Sequence, residues 1–194
     1  RGLGDVYKRQ PYFSPGGGSN ATGALGYVKC AQEIAHHCRT SGQRFDWLVM
    51  ATGSTGTQAG LVAGFHALEF DLPVMGVSVR QPHDHQVAAV HGLAQKTLDK
   101  LGAAPIDVSR ILVDDGYVGE GYGIPAPSTL EAINLTARQE GILLDPVYSA
   151  KGMAGLIGMV RQGFFKPDDT VLFLYTGGAA ALFAYEQQIL ASLN

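Results

Sequence analysis

Residues 47–64 are the segment that most constrains how this chain can fold. They read WLVMATGSTGTQAGLVAG, a short apolar run followed by glycines and hydroxyl side chains and then by small residues. This pattern predicts a buried strand that turns directly into a helix starting near Thr57. Such a turn directs backbone N–H groups and hydroxyls at one point, at the positive end of a helix dipole, where anions bind. The predicted phosphate-binding turn, called the phosphate cup here, consists of Gly53, Ser54, Thr55, Gly56 and Thr57.

The phosphate cup contains no cationic side chain. A nucleotide P-loop needs a Lys and a Ser or Thr after its last glycine, but here Gly56 is followed by Thr57 and Gln58. The glycine spacing also differs from the Gly-x-Gly-x-x-Gly pattern of dinucleotide-binding turns. A small phosphate monoester, for example on a bound cofactor, suits a cup of this kind. The loop alone leaves open the alternative of an ordinary strand-to-helix turn without a ligand.

Strand and helix patterns alternate along the rest of the chain. The predicted strands cover residues 47–51, 73–79, 111–113 and 170–175; the predicted helices cover 21–38, 57–68, 83–101, 128–140 and 150–162, with a last helix ending at 185. Ser128 is predicted to cap its helix in a capping box with Glu131. This alternation predicts right-handed βαβ units and therefore an α/β fold, a three-layer open parallel sheet with helices on both faces.

Composition excludes several classes of function. The chain is 46% hydrophobic with a net charge of −3 and no basic run, which argues against nucleic acid and anionic membrane surfaces as partners. Its apolar stretches are too short to span a bilayer. Cys30 and Cys38 lie about two helical turns apart, too far for a disulfide, so a cytoplasmic location is expected. No His or Asp cluster completes a metal site, and Asp114 and Asp115 are interpreted as loop caps.

Residues 1–10 show no periodic pattern and do not lead into the segment after Pro11. We expect them to be a foreign leader, and the real protein to begin upstream of Pro11.

Three loops are expected to meet at one edge of the sheet, because ligands of open parallel sheets bind outside the carboxyl ends of the strands. They are residues 52–57, residues 114–123 and residues 175–178. The last of these is a second glycine-rich strand end, Tyr175-Thr176-Gly177-Gly178. Two such ends in one sheet indicate a pocket.

Several segments in the same order resemble one family of enzymes. They are Pro15-Gly16-Gly17-Gly18-Ser19-Asn20, Thr57-Gln58-Ala59-Gly60, Asp145-Pro146-Val147-Tyr148, Gly152-Met153-Ala154-Gly155 and Tyr175-Thr176-Gly177-Gly178. Together they resemble the D-cysteine desulfhydrase and 1-aminocyclopropane-1-carboxylate deaminase family, fold-type-II pyridoxal-phosphate enzymes related to the tryptophan synthase β-subunit. The resemblance extends from Pro11 to about Tyr185, and it implies that residues 11–194 are the C-terminal portion of a longer pyridoxal-phosphate-binding α/β enzyme.

The resemblance implies roles for individual residues. It places the phosphate of pyridoxal 5'-phosphate on the phosphate cup, and a hydroxyl, that of Thr176, near the pyridine nitrogen. Tyr148 and Tyr175 match tyrosines on the substrate side, where a phenol could orient the substrate or move a proton. The deaminase branch has a glutamate at the position of Thr176. The threonine therefore favours the desulfhydrase branch, because a neutral hydroxyl leaves the ring a weaker electron sink that suits elimination.

The resemblance also implies a missing group, because the family's Schiff-base lysine matches none of the six lysines in this chain. We expect it upstream, so the chain by itself is expected to be inactive. The expected reaction of the complete enzyme is release of sulfide from D-cysteine, a small amino-acid substrate, to give pyruvate and ammonia. The alternatives are an aminocyclopropane-carboxylate deaminase, an L-cysteate sulfo-lyase, or a phosphate-ligand binding domain without catalysis. The family implies a homodimer.

Overall fold

The computed structural model of the chain describes residues 14–192. Its strands are β1 (Trp47–Thr52), β2 (Val74–Ser78), β3 (Leu112–Asp114) and β4 (Val171–Leu174). Its α-helices are α1 (Ala21–Ser41), α2 (Gly56–Ala67), α3 (His83–Leu101), α4 (Pro127–Glu140), α5 (Ser149–Arg161) and α6 (Glu186–Ala191). Shorter 3-10 helices cover Gly16–Gly18, Val108–Arg110 and Ala179–Tyr185. The expected leader, residues 1–10, lies outside the described residues.

The four strands form one parallel sheet in the order β3-β2-β1-β4. Met50 of β1 is paired with Gly76 of β2 on one side and with Leu174 of β4 on the other. Successive residues of a strand point to opposite faces. Leu48 and Met50 accordingly pack with side chains of α1, α2 and α3, whereas Val49 packs with residues of β2 and α5. The predicted α/β class and three-layer arrangement are therefore confirmed.

The predicted capping box at the start of one helix is wrong. Helix α4 begins at Pro127 with Ala126 as its N-cap, and the side chain that accepts the N-cap N–H is Thr129 rather than Glu131. Proline is favoured at the first helical position because its fixed φ suits a helix and its missing N–H costs no bond there. Ser128 therefore lies inside the first turn. The last predicted helix does end at Tyr185; it is a 3-10 helix, and α6 follows it.

Glycines allow helices to pack at unusually short distances beneath the phosphate cup. A Cβ on Gly60 of α2 would collide with the carbonyl oxygen of Ala24 and lie 2.6 Å from Cβ of Tyr27, both in α1. Gly155 of α5 lies against the side chain of Val77 in the same way. The strand-to-helix turn is therefore held by backbone packing on both faces of the sheet. Among residues 14–192, no helix combines the length and apolar character needed to cross a membrane.

Candidate functional site

The phosphate cup lies at the point where the order of the strands reverses. From β1 the chain continues to β2 and then to β3 on one side, whereas β4 returns to the other side of β1. The loops after β1 and β4 therefore diverge at the carboxyl edge of the sheet and leave a crevice, which is where open α/β sheets bind ligands. Gly53–Thr57 follows β1, and Tyr175–Gly178 follows β4. Both predicted glycine-rich strand ends thus face the same edge.

The backbone of the phosphate cup is set up to accept an anion. Helix α2 begins at Gly56, and the side chain of its N-cap residue, Thr55, makes no capping hydrogen bond. The first N–H groups of a helix have no partner within the helix, and here the N–H of Gly56 donates to Oγ of Ser19 at 3.2 Å. Thr55 has a φ of 74°, a conformation that costs a β-branched residue free energy and concentrates at functional sites. The uncapped helix start leaves donors available to a ligand.

A second glycine-rich loop completes the wall of the cup. A Cβ on Gly17 would lie 2.5 Å from Oγ of Ser54, so this backbone lies directly against the cup. Asn20 ends the loop by capping α1, its Oδ1 accepting the N–H groups of Thr22 and Gly23 at 2.9 and 2.8 Å. The sequence contained the glycines and the capping Asn, but no periodicity indicated that this loop meets residues 53–57.

Tyr148 contacts the phosphate cup directly. Its phenol oxygen accepts the N–H of Ser54 at 3.0 Å, and a Cβ on Gly53 would collide with the same phenol. The buried carboxylate of Asp145 fixes the chain at this point, because it accepts the N–H of Val147 at 3.0 Å and those of Tyr148 and Ser149 at 2.8 Å. Tyr148 therefore lies at the cup because an aspartate orders the start of α5.

Tyr175 and Thr176 lie at the same edge but are more exposed. Tyr175 is 39% exposed, and its hydroxyl donates to the carbonyl oxygen of Leu143 at 2.9 Å. Continuing the pairing of β1 and β4 beyond Met50 places Thr176 level with Thr52, immediately before the cup. The side chain of Thr176 is exposed and makes no hydrogen bond within residues 14–192. The structure therefore brings all the predicted site residues to one edge.

An aromatic group that the sequence did not indicate stands beside Tyr148. The ring of Tyr122 meets the ring of Tyr148 edge to face at 6.1 Å, and the guanidinium carbon of Arg80 lies 5.8 Å from the ring centre of Tyr122. Burial raises the pKa of Tyr122, and neighbouring Tyr148 raises it further. Tyr122 lies in the second predicted loop, residues 114–123, but its neighbours depend on how that loop returns across the edge.

The acidic residues and the lysines of the chain can be located relative to the phosphate cup. Among the described residues no group of three His, Cys, Asp or Glu side chains could hold a metal ion. Asp114 accepts the N–H of Gly116 at 2.8 Å and so caps the glycine-rich loop as predicted, whereas Asp115 accepts the N–H of His83 at 2.8 Å at the start of α3. Four of the lysines are exposed: Lys29, Lys96, Lys100 and Lys166. The buried Lys151 donates to carbonyl oxygens away from the cup.

Comparison with known proteins identifies the family. Residues 5–177 match the family described as pyridoxal-phosphate dependent enzyme. The chain belongs to this family. Membership implies pyridoxal 5'-phosphate as the cofactor. The start of α2 suits the phosphate of that cofactor, since the N–H groups of Thr57 and Gln58 have no acceptor among the described residues and can donate to an anion.

Individual relatives of this pyridoxal-phosphate enzyme include D-cysteine desulfhydrase of Serratia proteamaculans, 46% identical over 180 residues, or 93% of this chain and 54% of the relative. The crystal structure of an ACC deaminase homologue superposes with a TM-score of 0.85 at 33% identity, covering 95% of this chain and 54% of that one. The crystal structure of a mutant O-ureido-L-serine synthase, at 21% identity, shares the fold with a TM-score of 0.52. The match covers 90% of this chain and 55% of that one. The chain thus spans about half the length of these relatives.

Proposed function

We propose that this chain forms the cofactor-binding portion of a pyridoxal-phosphate-dependent lyase, and that the remainder of the enzyme contributes the lysine that bonds to the cofactor. One observation carries the proposal. The uncapped start of α2 and the loop after β4 meet at the reversal of strand order, so the two ends of a flat ligand could be held by neighbouring strand ends. The relatives named as desulfhydrase and deaminase homologue support it.

In this proposal the phosphate binds the phosphate cup. Backbone N–H groups at the start of α2 donate to the phosphate oxygens, and the hydroxyls of Ser54 and Thr57 are free to do the same, since neither donates to another group of the described residues. Tyr148 supports the cup from below by accepting the N–H of Ser54. No cation is needed, because helix-terminal N–H groups by themselves stabilise an anion.

Thr176 is proposed to stand at the pyridine nitrogen. The bound cofactor supplies an electron sink for the negative charge left when a proton leaves the substrate's α-carbon. A threonine hydroxyl exchanges a hydrogen bond with that nitrogen but cannot hold it protonated as a carboxylate does. The ring is then the weaker sink that favours loss of a β-substituent. Thr176 is exposed at the edge of this chain, as a residue that meets a ligand must be.

The proposed substrate is D-cysteine, which with one water gives pyruvate, sulfide and ammonia. Tyr148 can donate its own hydroxyl proton toward the substrate side, because the hydrogen bond from Ser54 uses only an acceptor position of its oxygen. Tyr175 could do so only after its bond to the Leu143 carbonyl breaks. We therefore assign proton movement first to Tyr148, and orientation of the substrate to Tyr175.

The cofactor assignment is tested by comparing pyridoxal phosphate with pyridoxal. In calorimetric titrations of this chain, Thr57→Val is expected to weaken binding of pyridoxal phosphate about tenfold, because one hydrogen bond to a charged group is lost. Binding of pyridoxal, which has no phosphate, should not change. Thr40→Val is the control, since the Thr40 hydroxyl bonds only to carbonyls of its own helix. Equal losses for both ligands would contradict the assignment.

The reaction is tested with the complete enzyme that contains this segment. D-cysteine, L-cysteate and 1-aminocyclopropane-1-carboxylate are each supplied, and sulfide, sulfite and 2-oxobutanoate are measured. We expect sulfide from D-cysteine to dominate and Thr176→Glu to reduce it. The second candidate is deamination, favoured by the similarity to an ACC deaminase homologue. Formation of 2-oxobutanoate alone would select that candidate. No product from any substrate, with binding of pyridoxal phosphate retained, would select a phosphate-ligand binding domain.

The setting of the enzyme remains part of the proposal. We propose that residues 11–194 are the C-terminal portion of the complete enzyme, because the chain covers 54% of the length of the D-cysteine desulfhydrase it resembles. We also propose that the complete enzyme is a homodimer in the cytoplasm. Analytical ultracentrifugation of the complete enzyme tests the dimer, and a single species of monomer mass would contradict it.

A further inference from the structure

Lys151 is a fully buried lysine in the first turn of α5. Its Nζ donates to the carbonyl oxygens of Val118 and Gly121 at 2.6 and 2.7 Å. None of the ion pairs within residues 14–192 involves it, so carbonyl dipoles alone compensate the ammonium. Burial lowers the pKa of Lys151, as desolvation of a cation must.

This position is unfavourable for a cation on two grounds. Burial of a charge without a carboxylate partner costs free energy, and the first turn of a helix is the positive end of its dipole. An apolar side chain of the same length would avoid both costs. We therefore expect the ammonium to have a role in the folded protein, and its two carbonyl partners indicate which segment it acts on.

The carbonyl partners belong to the segment between β3 and α4, residues 115–126, called the tyrosine loop here. The loop has no regular secondary structure, and Gly119, Gly121 and Gly123 have φ values of 65°, 158° and 78°. Its first part is held by Asp115, which accepts the N–H of His83 at 2.8 Å, and by Tyr117, which packs beside Met159. Between Val118 and Gly123 the other tie besides Lys151 is the Tyr185 hydroxyl, which donates to the carbonyl of Gly123 at 2.7 Å. A glycine-rich stretch with so few ties depends strongly on each one.

The tyrosine loop carries Tyr122 to the candidate site. Tyr122 directly follows Gly121, whose carbonyl accepts from Lys151, and its ring meets the ring of Tyr148 at 6.1 Å. Tyr148 and Lys151 are three residues apart at the start of α5. One helix start therefore fixes the phosphate cup through a phenol and the tyrosine loop through an ammonium.

We propose that Lys151 is a positioning residue whose ammonium holds the tyrosine loop so that Tyr122 packs on Tyr148 and covers the cup. The consequence for catalysis rests on the proposed function, but the loop contact itself does not. Lys151 touches neither cofactor nor substrate in this scheme. Its removal releases Tyr122 and opens the site to water, while the phosphate cup keeps its shape.

Hydrogen exchange of the full chain tests the contact without relying on activity. Lys151→Met keeps the aliphatic length and removes the ammonium, so exchange in residues 115–126 should rise about tenfold, whereas α1 and α2 should exchange as before. Lys29→Met, at an exposed lysine of α1, is the control. Unchanged exchange in the loop would overturn the proposal. So would a uniform increase throughout the chain, because Lys151 would then stabilise the core in general.

Chemical rescue tests the role of the charge. Lys151→Ala leaves a space beside the two carbonyls that methylammonium or ethylammonium can enter. Adding either is expected to restore slow exchange in the loop, whereas tetramethylammonium, which has no N–H donor, should not. If Lys151→Met fails to fold, this rescue decides the question, and failure of rescue counts against the proposal.

In the complete enzyme, Lys151→Met should lower kcat with little change in affinity for pyridoxal phosphate. Weakened cofactor binding with loop exchange unchanged would refute the proposal while leaving the cofactor assignment intact.

Discussion

The phosphate cup and the tyrosine loop lie at the same edge of the sheet but are held in different ways. The cup is a five-residue turn between a buried strand and a buried helix, and its Gly53 and Gly56 lie close against the side chains of Tyr148 and Ser19. The tyrosine loop is longer, and its glycine-rich part between Val118 and Gly123 depends on the ends of two side chains, Lys151 and Tyr185, for its position. The cup is rigid because the strand and helix on either side of it are packed. The tyrosine loop is ordered only while its hydrogen bonds to Lys151 and Tyr185 persist.

This difference suits two tasks: the phosphate cup binds the ligand, and the tyrosine loop covers it. Precise placement of donors around a phosphate needs a scaffold that does not move. A loop that covers a ligand must release it, and loops of this kind come from the least stable part of a structure. We therefore expect substitutions beneath the cup to reduce the stability of the whole chain, and substitutions at the ties of the tyrosine loop to act locally.

The largest effect is expected at Gly60, where α2 packs on α1 beneath the cup. Gly60→Ala should lower the free energy of unfolding by about 1–3 kcal/mol, because the new Cβ meets the carbonyl of Ala24 and the Cβ of Tyr27. Gly92→Ala in α3 is the matched control. Its Cβ would meet nothing within 4 Å, so it should stabilise by up to about 1 kcal/mol through helix propensity. Denaturant unfolding measures both. The same sign for the two variants would disprove the close contact.

The next effect is expected at Asp145, which orders the start of α5 and thereby places Tyr148. Asp145→Asn replaces a carboxylate oxygen by an amide donor opposite N–H groups, so it should cost about 1–2 kcal/mol, as loss of a helix cap does. It should also speed hydrogen exchange at Ser54, whose N–H bonds to the displaced phenol. Asp168→Asn, at an exposed aspartate, is the control. Denaturant unfolding measures the first effect and hydrogen exchange the second. Unchanged exchange at Ser54 would show that Asp145 does not position Tyr148 at the cup.

A smaller and more local effect is expected at Tyr185. Tyr185→Phe removes the hydroxyl that donates to Gly123, so about 1 kcal/mol of stability should be lost. Exchange should rise in residues 115–126 and stay unchanged in residues 53–57, which provides an internal control. Mass spectrometry of exchanged peptides resolves the two segments. A rise in the cup as large as in the loop would mean that the two regions open together.

The smallest effect is expected at the exposed pair of Glu131 and Arg161, which joins α4 to α5. Arg161 donates to both carboxylate oxygens of Glu131 at 2.6 and 3.0 Å and lowers the pKa of Glu131 below its ordinary 4.5. The pair's contribution to stability is therefore present above pH 4.5 and is lost as the pH falls through the lowered folded-state value. Wild type should exceed Glu131→Gln slightly in unfolding free energy at neutral pH, and the difference should vanish in acid. A difference that persists in acid would exclude the ion pair as its source.

The sequence predicted the strands well because their apolar runs are buried on both sides of a parallel sheet. All four strands begin and end within one residue of the predicted positions. The helix starts were less predictable. Ser128 in a capping-box pattern was a strong local signal, yet Pro127 at the first helical position decided where α4 begins. The last helix ends at Tyr185 as predicted, but the sequence did not indicate that it is a 3-10 helix, which begins after Gly178, where φ is 103°.

The phosphate cup, its lack of a cation and its place at the carboxyl edge followed from the order of residues 47–64, because a strand, a glycine turn and a helix are local structures. Only the tertiary structure decided which other residues reach the cup. Ser19, Tyr122 and Tyr148 come from distant parts of the chain, and Lys151 is buried only because residues 118–121 return across the edge of the sheet. Local patterns report the conformation of a segment, whereas contacts between segments depend on packing that no single segment records.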